Sequence, residues 1–122
     1  MEWEITVQCD TNYIEIVTKG IADNEGAIRM AKAIAETMKK HKIKKALIDH
    51  RNVSMVSGSV ADVYERPKLF RLIGVLLGIK IAEVIQPIHY DHFKFLETVC
   101  VNRGYRFAIF YDRNEALNWL VH

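Results

Sequence analysis

Polar and apolar residues alternate along the first segment of the chain. Trp3, Ile5 and Val7 are interleaved with Glu4, Thr6 and Gln8, the period-two pattern of a strand with one buried face. Tyr13, Ile14, Ile16 and Val17 form a second such run, ending at Lys19-Gly20. Asp10-Thr11-Asn12 between them is turn chemistry, so the two runs predict a β-hairpin. The period then changes. Ala27, Met30, Ala31, Ile34 and Met38 fall on one face at helical spacing, with Arg29, Lys32, Glu36 and Lys39 on the other. Asp23 is placed to cap that helix. Ala46-Leu47-Ile48-Asp49 is short and apolar, as a strand covered on both faces should be.

A polar loop, Arg51 to Ser59, follows. Ser59 with Asp62 three residues on resembles a capping box and opens a second helix, with a kink or restart expected at Pro67. The stretch Leu69 to Leu77 is apolar almost all round, more than one face against a sheet needs. The last third is plainer. Ile81 to Ile85 is a strand ended by Pro87, Asp91 to Arg103 a helix stopped by Gly104, and Tyr105 to Tyr111 a strand. Asp112-Arg113-Asn114-Glu115 opens a final helix carrying Leu117 and Leu120. Strand, helix, strand at this spacing predicts a parallel pair with a right-handed crossover.

The order β-β-α-β-α-β-α-β-α predicts an α/β fold: an N-terminal β-hairpin, then β-α repeats. The five-stranded sheet is mostly parallel with one antiparallel edge strand, and helices pack on it. A length of 122 residues makes residues 1–122 a single domain. A domain of this size buries roughly two-thirds of its unfolded surface.

Composition narrows the function classes. The net charge of +2 argues against nucleic acid. The basic cluster Lys39 to Lys45 follows a helix C-terminus, where cations are favoured. Cys9 and Cys100 are far apart with no CxxC, and read as small buried hydrophobes in a reducing cytoplasm. The start, Met1-Glu2-Trp3-Glu4, lacks the order of a signal peptide, and no apolar run reaches the roughly 20 residues of a membrane span.

Chemistry in an open α/β sheet is expected outside the carboxyl ends of the parallel strands, where strand order reverses. That rule gathers Asp49, His50 and Arg51 with His89 and His92, and with Tyr111, as ligand-binding candidates. A metal site from His89, His92, Asp91 and Asp49 is weakly signalled by spacing, since Asp91 also suits a helix cap. A His/Asp hydrolase using His50 with Asp112 is the enzymatic alternative. No nucleophile stands beside a base, however, and Asp112 with Glu115 reads as a helix cap. Ser57-Gly58-Ser59 lacks a P-loop pattern, and no dinucleotide fingerprint occurs, so no cofactor is expected. The surplus apolarity after Pro67 suggests a homodimer interface through Tyr64, Leu69, Leu72 and Leu76, or a lid over an apolar ligand pocket.

The strand Ala46-Leu47-Ile48-Asp49 with its serine-containing loop resembles the STAS/SpoIIAA-like superfamily. So does the ending Phe95-Leu96-Glu97-Thr98-Val99, Asn102-Arg103-Gly104, Ile109-Phe110 and Glu115-Ala116-Leu117-Asn118-Trp119-Leu120. The resemblance covers nearly the whole chain. It implies a cytoplasmic, non-enzymatic module that binds regulatory partners or small ligands. It also implies a phosphorylatable serine at the start of the second helix, switching binding through added charge. Ser57 is the nearest counterpart and Ser59 the next, although the family's aspartate before the serines is absent here.

Overall fold

Residues 1–57 and 78–122 are described by the structure, a computed structural model. The helix expected after Ser59, its Pro67 and the interface candidates Tyr64, Leu69, Leu72 and Leu76 lie outside these residues, as does Ser59 itself.

The described elements are β1 (Glu2–Gln8), β2 (Tyr13–Ala22), α1 (Asn24–His41), β3 (Lys45–Val56), β4 (Lys80–Val84), α2 (Tyr90–Asn102), β5 (Arg106–Phe110) and α3 (Arg113–Val121). A 3-10 turn, Pro87–His89, leads into α2. The sheet order is β1-β2-β3-β4-β5. β1 and β2 pair antiparallel; the other neighbours pair parallel. The α/β fold with one antiparallel edge strand is therefore as the sequence predicts. Among the described strands the order runs straight through, so they offer no switch point to select a site.

Alternation along the strands divides the interior into two clusters. Ile14, Ile16, Ala46, Ile48, Ile81 and Phe107 point to the side covered by α1 and α2, where Met30, Ile34, Phe93 and Leu96 meet them. Tyr13, Leu47, Ala82 and Val84 point to the side covered by α3, where Ala116 and Leu120 meet them. Both end helices start on aspartate caps, as expected from their sequences. The Asp23 carboxylate accepts from the Gly26 amide at 2.7 Å, and that of Asp112 from the Asn114 amide at 2.9 Å. Asp91 has no such role: it lies in the first turn of α2, whose N-cap is His89, without a side-chain cap bond. Gly104 takes φ +87°, the left-handed region that favours glycine, and so turns the chain out of α2.

Two expectations are corrected. Cys9 is exposed, because β1 ends at Gln8 and Cys9 lies in the turn; Cys100 is buried. β3 runs for 12 residues to Val56 rather than ending at Asp49. Its continuation pairs with a prolonged β2: Lys19 with Asn52, Gly20 with Val53, Ile21 with Met55 and Ala22 with Val56. The polar residues of Arg51 to Ser54 conceal this extension because Arg51, Asn52 and Ser54 are exposed, and only Val53 is buried.

Candidate functional site

The β2–β3 ladder slips between Val17 and Lys19, where β3 spends His50 and Arg51 against the single residue Thr18. This is a bulge, and bulges re-aim side chains. The slip sits at the boundary between β3's covered part and its extension. Alternation through the continuous β3 divides the residues that the sequence assembles into one rim.

Asp49 and Arg51 belong to the α3 side. The Arg51 guanidinium grips the Asp49 carboxylate through Nε at 3.0 Å and Nη2 at 2.8 Å, and the Arg51 amide donates to the same carboxylate at 3.0 Å. Burial would raise the Asp49 carboxyl, but the Arg51 hydrogen bonds and charge outweigh it and hold it below the ordinary value of 3.8. Next to them Arg113 forks onto Glu15, with Nε donating to Oε2 at 2.9 Å; that hydrogen bond raises the guanidinium further. Because the Asp49 value is depressed in the fold, its stabilising contribution is full above the ordinary value and is lost as pH falls through the lower native one. Asp49→Asn is therefore expected to be less stable than the natural chain at neutral pH, with the difference shrinking by about pH 3. Urea titrations at the two pH values check this; an unchanged difference would count against the pairing.

His50 faces the opposite side, beneath α1 and α2. It is 3 % exposed. Its Nδ1 lies 2.7 Å from the Thr18 hydroxyl and its Nε2 3.2 Å from Glu83 Oε2. The Phe93 ring stacks on the imidazole at 4.8 Å, and His92 meets the edge of Phe93 at 4.9 Å. Thr18 has one hydroxyl hydrogen and also reaches the Asp49 carbonyl, at 3.3 Å. All three contacts are satisfied together when Thr18 donates to that carbonyl, His50 Nδ1–H donates to Thr18, and a proton lies between Nε2 and Oε2. In that arrangement the pair His50–Glu83 is neutral as a unit.

Glu83 is 4 % exposed and has its second oxygen, Oε1, without a hydrogen-bond partner among the described residues. The carboxylate lines a cavity of about 50 Å³. Ile48, His50 and Ile81 share its floor on the sheet. Ala27, Met30, Ala31 and Ile34 of α1 form one wall, and His92, Phe93 and Leu96 of α2 the other. The lining is apolar apart from the His50–Glu83 end, His92 and Asp23, whose carboxylate is occupied in capping α1.

Of the predicted rim, the structure thus brings together Asp49 with Arg51 on one side, and His50 with His92 on the other. His89 is half-buried in the 3-10 turn, with a buried Nδ1 that has no partner among the described residues. Tyr111 is 52 % exposed. The pairing of His50 with Asp112 is corrected: His50 is engaged by Glu83, and Asp112 caps α3 on the other side of the sheet. Among the described residues, no group of three or more histidines, cysteines or acids is placed to hold a metal. The sequence reading missed Glu83 and Thr18. A lone acid inside the apolar run Ile81 to Ile85 was the available signal, since a buried carboxylate needs a partner.

No family model and no curated protein matches the chain. Solved structures do. A protein of the DUF3478 family with a SpoIIAA-like fold, from Shewanella loihica PV-4, is 21 % identical. The match covers 98 % of this chain and 92 % of that one, with a TM-score of 0.61. The anti-sigma factor antagonist SpoIIAA in its unphosphorylated form is 14 % identical over 97 % of this chain and 96 % of its own, with a TM-score of 0.56. The chain has a SpoIIAA-like fold, as its sequence resemblance implied, and no helix among the described residues is long and apolar enough to cross a membrane.

Proposed function

We propose that the protein is a non-enzymatic regulatory module of STAS type that works by binding, as a cytoplasmic homodimer or with a regulatory protein partner. The observation that carries this reading is the mutual engagement of the ionic groups at the strand ends. Asp49 is held by Arg51, Glu15 by Arg113, and His50 by Thr18 and Glu83. With Thr18, Asp49, His50 and Glu83 all buried, we read groups so committed as serving structure and recognition. The SpoIIAA neighbour, an anti-sigma factor antagonist described in an unphosphorylated form, supports a regulatory role and a phosphorylation switch. Ser57 is suited to one: it is exposed at the end of β3, tethered by its amide to the Ala22 carbonyl at 2.8 Å. The exposed cross-strand pair Ile21 and Met55 gives an apolar surface beside it.

A native mass spectrum of the purified protein tests the reading. A dimer or a protein complex without added small mass is the expected result. Bound zinc, or a hydrolytic turnover lost in a folded His89→Ala variant, would overturn it. A retained small organic molecule would favour a second reading, a carrier for a small, largely apolar ligand. The cavity under α1 and α2 supports that reading.

A further inference from the structure

We infer that the cavity between the sheet, α1 and α2 is a recognition site for a compact neutral molecule with an apolar body and one hydroxyl or amide donor, received by Glu83 Oε1. This inference rests on the carrier reading and names the ligand chemistry it requires. Three observations converge. The first is space: about 50 Å³. A water needs about 10–15 Å³ on this measure, so the void holds about four waters or a molecule of four to five non-hydrogen atoms. The second is the lining, in which Ile34, Ile48, Ile81 and Leu96 offer no polar group to an occupant. The third is the orphaned acceptor. Glu83 lines this space, and its Oε1 is buried without a partner among the described residues; an unsatisfied buried carboxylate oxygen is costly until a donor meets it.

In the arrangement that satisfies all three contacts of Thr18 and His50, the neighbours of Glu83 set the charge of that donor. Oε2 is committed to His50, and the imidazole is committed to Thr18 at its other end. With a proton between Nε2 and Oε2, the pair carries no net charge. An ammonium ligand would bring an uncompensated cation into an apolar space, at a large desolvation cost. A neutral O–H or N–H adds the missing hydrogen bond and no charge. The stacked Phe93 ring fixes the imidazole plane, so Glu83 is held in place before the ligand arrives.

The test uses two isomers of the same formula, 1-butanol and methyl propyl ether. They have the same number of non-hydrogen atoms and differ in that only the alcohol donates. Binding to the full chain is followed by NMR titration of the Ile48 and Ile81 methyl groups. The alcohol is expected to bind about tenfold tighter or more, as a hydrogen bond to a carboxylate warrants. In the paired variant His50→Leu/Glu83→Leu, which removes the carboxylate without stranding the imidazole, the preference should fall to within about twofold. Equal binding of both isomers to the natural chain, or a preference that survives in the paired variant, overturns the assignment of Glu83 while leaving a carrier possible. Binding of neither isomer overturns both.

Discussion

Replacing His50 alone by leucine is expected to cost about 3–5 kcal/mol of folding stability, the range for stranding one member of a buried ion pair. The side chains of His50 and Glu83 are 4 % and 5 % exposed and meet at 3.2 Å. His50→Leu leaves both oxygens of Glu83 without a donor inside an apolar shell. Glu83→Leu alone leaves Nε2 facing the same shell, with a loss of similar size. The paired replacement should behave differently. It strands neither group, adds apolar surface where Phe93 and Ile48 already lie, and is expected to lie within about 1–2 kcal/mol of the natural chain, since hydrophobic replacement of whole buried pairs is often neutral or stabilising. Urea denaturation of the two single variants and the double variant completes the cycle. If the two single losses simply add in the double variant, His50 and Glu83 are not coupled, and the neutral-pair arrangement is wrong.

Such a pair is an odd choice for a core whose only task is to be stable. Leucines would fill the same volume with less risk. Its position at a bulge, beside a cavity and with one acceptor unfilled, is what the proposed recognition of a ligand would use.

The outline of the fold was legible because its signals are local. The alternation in Trp3 to Val7, the helical spacing from Ala27 to Met38 and the turn at Gly104 each lie within one element. The end of β3 was not legible, because a strand extension with exposed flanks has the composition of a loop. The site was half legible for a related reason. His50 announced itself as a histidine after a strand, but β3 continues past Asp49, so strand alternation turns His50 to the opposite face from Asp49 and Arg51, and the hidden extension concealed that. The straight order of the described strands also removed the crossover point on which the rim depended. Glu83 and His50 are 33 residues apart in sequence, and only the parallel pairing of Ile48 with Glu83 on adjacent strands brings them together.

Leu120→Ala is expected to cost about 2–5 kcal/mol, the range for emptying a fully buried leucine site. α3 has 9 residues, and helices so short are marginal in water on their own. It therefore depends on what it buries, and only Ala116 and Leu120 are fully enclosed against Tyr13, Leu47, Ala82 and Val84. Leu117, Trp119 and Val121 pack partly, and Lys80 adds a tether by donating to the Trp119 carbonyl at 2.6 Å and lying over the indole at 4.4 Å. Truncating Leu120 removes the larger of the two anchors and leaves the others at the margin. Hydrogen exchange should accordingly speed up through α3 more than through α2, whose anchors Phe93 and Leu96 belong to the other cluster. Val121→Ala, at a half-buried position, should cost less than about 1 kcal/mol and leave α3 protected. A small loss for Leu120→Ala, with α3 still protected, would mean that the Lys80 tether and the Arg113–Glu15 fork, rather than the buried cluster, hold the helix to the sheet.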